Sequence, residues 1–227
     1  MHSWIYLSHK LTAKHFAYGN GEKANIKYPN QINKGNTSNN SFLHLPTHFG
    51  THLDFPYHFD NKGKRGDVYP PDYFISQKVQ FIELAINPIS DHLITTSDFF
   101  IYELNQRTEI LILKTGMGKY IDRKEYWNAN PGFAHDLAGY LKSKMPNLRI
   151  FGFDSISLTG RRFREEGKEA HKSFLIENNI LILEDMNLSK LFKDSIIEEI
   201  IISPLRFDGM DGSPTTVIAK VNHYINE

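Results

Sequence analysis

The chain has 227 residues, with 26 Lys+Arg balancing 26 Asp+Glu, eleven histidines and no cysteine. That length suits one sizeable domain, and a 40% hydrophobic content supplies its core without covalent staples. The missing cysteine excludes disulfides, thiolate nucleophiles and Cys-held zinc or iron–sulfur sites, and the balanced charge argues against nucleic acid or an anionic membrane as the main partner.

In chain order, residues 1–10 show neither the basic stretch nor the long apolar run of a leader. Apolar runs such as 110–113 fall far short of the about 20 residues that span a bilayer, so a cytoplasmic protein is expected. Residues 30–41 are polar and turn-rich and read as an exposed loop, with a substrate lid as the alternative. Residues 77–86 are strand-like, and 95–102 form a short helix opened by a Ser/Thr cap. A short apolar strand over 110–114 ends at Thr115-Gly116. Helical spacing over 133–145 stops before Pro146. A second apolar strand over 148–153 ends at Asp154. A helix over 168–178 leads into a strand over 180–183, which ends at Glu184. Strands over 196–202, broken at Pro204, and over 215–221 close the chain.

Apolar strands alternating with helices predict a single α/β domain over residues 1–227, its mixed sheet partly parallel and covered on both faces. In such sheets ligands gather beyond the carboxyl ends of strands, where Thr115, Asp154 and Glu184 stand. Asp154 also reads as an ordinary turn residue.

Residues 42–59 carry the chemistry: Phe-Leu-His-Leu-Pro-Thr-His-Phe-Gly-Thr-His-Leu-Asp-Phe-Pro-Tyr-His-Phe. His44, His48, His52, Asp54 and His58 all fall on even positions, and the odd positions are mostly apolar, the alternation of an extended segment. A helix would send Asp54 away from His48 and His52, and Gly50 and Pro56 disfavour one. In a straight strand, however, His48 and His52 would stand roughly 13 Å apart, too far to share an ion. A bend at Gly50 is therefore expected, with Pro56 ending any ladder. Two imidazoles and a carboxylate suit Zn²⁺ or Mn²⁺ and leave positions open to water. His58, beyond the turn, fits a general acid/base. Nothing couples His44 to the others, and it reads as a supporting or structural residue. The mixed-sign stretch Arg161-Arg162-Phe163-Arg164-Glu165-Glu166 reads as a solvated loop, and Gly209, Asp211 and Gly212 as a turn.

The string from His48 to Phe59 resembles the H-x-G-T-H-x-D-x-P-x-H-F signature of the cyclase family, which includes bacterial kynurenine formamidases and isatin hydrolase. The likeness continues through Trp4-Ile5-Tyr6-Leu7-Ser8, Ile112-Leu113-Lys114-Thr115-Gly116, the G-x-D-x-x-S segment at Gly152, Glu169-Ala170-His171, Ile182-Leu183-Glu184 and Asp211-Gly212-Ser213-Pro214. The resemblance implies a compact mixed α/β domain of the swivelling β/β/α kind, assembled as a homodimer or homotetramer. It implies one divalent ion held by His48, His52 and Asp54, with Asp54 bridging to a second held by His171 and Glu184. His58 would be the catalytic acid/base and Tyr18 a substrate-binding residue. Thr159 and Thr216 stand where the family has an aspartate and an arginine, so the metal chemistry transfers more readily than the substrate.

Without the family, His171 shares a helix face with Phe174 and Leu175 and fits a hydrogen-bonded core histidine as well as a ligand. Glu184 fits a capping or surface carboxylate equally. The expected function is metal-dependent hydrolysis of a small amide, an aryl formamide such as N-formylkynurenine. The alternatives are isatin-type lactam opening or a cyclisation at the same centre, and a non-catalytic small-molecule or metal-binding module.

Overall fold

The strands Ile110–Lys114 and Ile150–Phe153 are buried along their whole length, which requires a sheet covered on both faces. The computed structural model of the chain describes residues 2–12 and 21–223. Its strands are β1 (His2–Tyr6), β2 (Asn25–Asn30), β3 (Asn40–His44), β4 (His52–Asp54), β5 (Ile75–Ser76), β6 (Val79–Glu83), β7 (Leu93–Ile94), β8 (Ile110–Lys114), β9 (Gly132–Phe133), β10 (Ile150–Phe153), β11 (Leu181–Glu184), β12 (Ser195–Pro204) and β13 (Gly212–His223). The α-helices are α1 (Lys124–Asn128), α2 (Leu137–Lys144) and α3 (Arg164–Lys172).

Nine strands make one mixed sheet in the order β5-β12-β13-β4-β11-β10-β8-β6, with β1 beside β13. From β6 through β8 and β10 to β11 the strands run parallel, whereas β4 and β13 are antiparallel to their neighbours. β12 also packs against β6, so the sheet nearly closes on itself. This is the mixed α/β domain expected from the alternation of strands and helices. Among the described residues, no helix is long and apolar enough to cross a membrane.

Helix α2 covers the sheet through Leu137, Ala138 and Leu141, all fully buried. Below it, Phe151 stacks on Phe174 with centroids 5.1 Å apart, and Phe133 lies against Phe153 at 4.7 Å. These contacts fix the carboxyl ends of β10 and β11, which border the site.

Several elements differ at their ends from the sequence expectation. The helix expected over 133–145 starts only at Leu137, because Gly132 and Phe133 pair with β7 instead. Strand β6 stops at Glu83 because its partner β8 runs out at Lys114. Helix α3 starts at Arg164 and passes at Ser173 into a wider π-helical turn, Ser173–Glu177. The cap at Thr95 does open a helix, but of the tight 3-10 kind over Thr96–Phe99, with Asp98 completing a capping box. Residues 30–41 form the end of the β2–β3 hairpin and are exposed apart from half-buried Gln31. None of them lines the site cavity described below, so the lid alternative gains no support.

Phe151 touches Phe133, Phe153 and Phe174 at the centre of this layer. Phe151→Ala is expected to cost about 3–5 kcal/mol, read as a lowered urea midpoint. An unchanged midpoint would show that the aromatic layer does not hold the sheet.

Candidate metal centre

The site grows from three residues of β4. His52 and Asp54 are two apart in a strand and so project on one face, while Leu53 between them is fully buried in the core. Across the antiparallel ladder His52 lies opposite Glu184 of β11, which puts that carboxylate on the same face. On the other side Asp54 lies opposite Gly212 of β13. A Cβ at Gly212 would come within 2.4 Å of the His48 ring, so this position must lack a side chain. The chain bends at Gly50, whose φ is 64°, and this returns His48 over β4. Pro56 then opens a 3-10 turn, Pro56–His58, that carries His58 to the mouth of the site.

His48, Asp54 and His58 present ligand atoms within 4.8 Å of one another, as do His52, Asp54 and Glu184. Helix α3 adds His171, whose Nε2 is 3.7 Å from Asp54 Oδ2 and 3.5 Å from Glu184 Oε1. The structure thus brings together His48, His52, Asp54, His58, His171 and Glu184. Tyr18 lies outside the described residues. His44 is exposed and pairs with Glu22 at 3.0 Å.

Ring orientation decides what these histidines can offer. His52 Nδ1–H donates to the Gly50 carbonyl at 2.7 Å, and His171 Nδ1–H donates to the Gly167 carbonyl at 2.6 Å. A carbonyl can only accept, so the proton of each neutral ring is on Nδ1 and Nε2 carries a lone pair. Those lone pairs face carboxylates: His52 Nε2 is 3.3 Å from Asp54 Oδ1 and 3.5 Å from Glu184 Oε2. His48 sets Nε2 against Asp211 at 2.9 Å and Nδ1 against Asp54 at 2.8 Å. Lone pairs and carboxylate oxygens cannot meet in a buried site without a cation or a proton between them.

The protonation energetics say the same. Burial opposes charge on His48, but Asp54 and Asp211 outweigh it and raise its pKa to about 10. His52 is also raised, against burial, chiefly by Asp54, and His171 is raised, against burial, chiefly by Glu184. Burial works to raise Asp54, yet His48 and His52 hold it well below the usual carboxylate range. In this donor set the protons stand where a divalent ion would bind. Three imidazoles and two carboxylates, with nitrogen and oxygen donors only, fit such an ion, and a single dication balances Asp54 and Glu184.

Supporting contacts hold the carboxylates. Leu158 N–H donates to Glu184 Oε1 at 2.6 Å, and Ser157 Oγ donates to it at 3.3 Å. Asp211 bonds His48 and, at 3.2 Å, His58 Nδ1, and it accepts from Thr47 Oγ1 at 3.1 Å. The hydrogen bonds from His48 and His58 hold the Asp211 carboxyl well below its ordinary pKa. Asp211, read from the sequence as part of a turn, is therefore a site residue. The available signal was its place directly before Gly212, the position that must be bare.

Asp154 keeps its plainer reading. It accepts from the Thr115 backbone at 2.6 Å and the Thr115 hydroxyl at 2.7 Å, closing the turn after β8. Of the two departures from the family pattern, Thr159 lines the site cavity, whereas Thr216 is exposed on β13 opposite Ser203. The cavity over the centre measures about 280 Å³, enough for a small ligand. Phe59 walls it by stacking on His171 at 4.6 Å.

Residues 5–159 match the family model described as Putative cyclase. The chain is 29% identical over 219 residues to a kynurenine formamidase of Geobacillus thermodenitrificans, covering 94% of this chain and 95% of that one. It is 27% identical over 178 residues to a kynurenine formamidase of Bacillus cereus, 78% of each chain. Among solved structures it resembles an isatin hydrolase bound to the product analogue thioisatinate, with TM-score 0.80, 21% identity, and 98% of this chain and 93% of that chain covered.

The raised pKa of His48 makes a sign-specific prediction for protein kept in chelator. Its bound proton stabilises the folded chain fully below about 6.5, the ordinary imidazole pKa, and that contribution is lost as pH rises through about 10. The thermal midpoint should fall between these limits, and His48→Gln should flatten the fall. A midpoint that rises across this window contradicts the charge assignment.

Proposed function

The chain belongs to the cyclase family, and from that premise we propose that it hydrolyses a small amide, an aryl formamide of the N-formylkynurenine type. The observation that carries this reading is the convergence of three imidazole nitrogens on the Asp54 and Glu184 carboxylates, with His58 at the mouth. His48, His52, Asp54, His171 and Glu184 are the proposed ligands of Zn²⁺ or Mn²⁺. When bound, such an ion polarises a carbonyl oxygen and acidifies water.

The remaining work falls to the chain. His58 Nδ1–H is held by Asp211, so Nε2 is the ring nitrogen left to move a proton. His58 takes a proton from water as the C–O bond forms and passes it to the amine nitrogen as the C–N bond breaks, giving formate and an arylamine. Asp211 positions His58 and His48 together. Phe59 and Thr159 wall the side of the cavity next to the reacting carbonyl. The likeness to kynurenine formamidases over most of the chain supports a formamide over a lactam.

Self-association as a homodimer or homotetramer belongs to the same reading. It is supported by the β2–β3 hairpin, which leaves Ile26 and Leu43, cross-strand partners, exposed on one face and Phe42 exposed on the other. Light scattering is expected to return two or four chains per particle, and one chain per particle would refute it.

The function is tested by assaying N-formylkynurenine, simple formanilides and isatin, before and after chelation, with elemental analysis. Formamide turnover should vanish with chelator and return with Zn²⁺ or Mn²⁺. Isatin as the better substrate would favour the lactam reading, and protein that binds no metal would exclude both. His58→Ala should lower kcat by about 10²–10⁴ while bound metal is retained. Full activity in that variant removes His58 from the reaction.

A further inference from the structure

A second cavity, of about 490 Å³, adjoins the first, and Phe59 and Thr159 line both. It is floored by Trp127 and Asn130 and rimmed by Arg161, Arg164 and Lys168, with no carboxylate in its lining. The mixed-sign run around residues 161–169 looks self-neutralising in the sequence, but the fold pairs its charges unevenly. Glu165 pairs with Lys168 at 2.7 Å, Glu169 with Lys172 at 2.8 Å, and Glu166 accepts from His135. Arg162 is held by Asp91 at 2.9 Å. Arg161 and Arg164 have no carboxylate partner among the described residues. The two neighbouring cavities therefore differ in charge, with carboxylates beneath one and, among the described residues, guanidinium groups without a carboxylate partner at the rim of the other.

A molecule whose amide carbonyl sits beside His58 can extend past Phe59 and Thr159, which line both cavities, toward Trp127 and the arginines. We propose that this second cavity is a specificity subsite for the acidic end of the substrate, selecting aromatic amides that carry a carboxylate. Resting on the amide-hydrolase reading, this names the substrate class more narrowly. An aromatic body suits a cavity lined by Phe59 and Trp127, and a carboxylate suits a guanidinium fork with five donors. A neutral analogue forgoes the charge-assisted hydrogen bonds that the exposed Arg161 and Arg164 can donate to a carboxylate.

The test uses amides that are not formamides, so that binding is read apart from turnover. Titration calorimetry on the metal-loaded protein compares ortho-, meta- and para-acetamidobenzoate with the matching neutral acetamidobenzamides. At least one carboxylate isomer should bind about tenfold tighter than its neutral partner. In Arg161→Gln/Arg164→Gln that ratio should fall to within twofold of one. Arg162→Gln, which removes one neighbouring positive charge outside the cavity lining, should leave the ratio in place. A wild-type ratio below twofold, or a preference that survives the double substitution, overturns the subsite. A preference that depends on Arg161 and Arg164 in protein that hydrolyses no formamide keeps the subsite and removes the formamidase reading. Formamide turnover with no anion preference does the reverse.

Discussion

Two buried carboxylates that face the lone-pair side of imidazoles set the terms for the whole site. Asp54 and Glu184 are 1% and 4% exposed, and burying such groups unpaired costs several kcal/mol. The fold meets that cost by bringing His48, His52 and His171 to them from three elements. Each feature nearby serves the convergence. The β4–β11 register aligns His52 with Glu184, the left-handed Gly50 turns His48 back, and bare Gly212 leaves room for its ring. The Gly50 and Gly167 carbonyls then fix which nitrogen of His52 and His171 points inward.

This preorganisation has a functional consequence. Ligands whose tautomers are already set need no rearrangement when an ion enters, and the protons displaced link its affinity to pH. Asp211 ties the buried centre to the exposed His58 ring by bonding His48 and His58 at once. Beyond Phe59 the neighbouring cavity is rimmed by Arg161, Arg164 and Lys168, a charge opposite to that of the Asp54 and Glu184 carboxylates.

Much of the centre was legible in the chain. The alternation through His48, His52 and Asp54, interrupted by Gly50, implied an extended segment with a bend, and both are present. His171 and Glu184 were readable only through family resemblance, because local pattern cannot tell a core histidine from a ligand. What escaped was everything decided by long-range placement. Asp211 lies 163 residues from His48, and a turn-forming aspartate looks the same in sequence whether or not it meets an imidazole. The uncompensated Arg161 and Arg164, just before and at the start of α3, were hidden in part the same way: Glu166 is taken by His135, 31 residues away, whereas Glu165 and Glu169 pair locally with Lys168 and Lys172 one helical turn on. The start of α2 was misplaced because pairing of β9 with β7 overrode local helical spacing.

We propose that a divalent ion closes the Asp54–Glu184 pair. Anomalous diffraction from crystals of zinc- or manganese-loaded protein tests it most directly. A peak between the two carboxylates, about 2.0–2.2 Å from His52 Nε2, is the expected result. A well-ordered site with no anomalous density there, the imidazoles lying directly on the carboxylates, would contradict it.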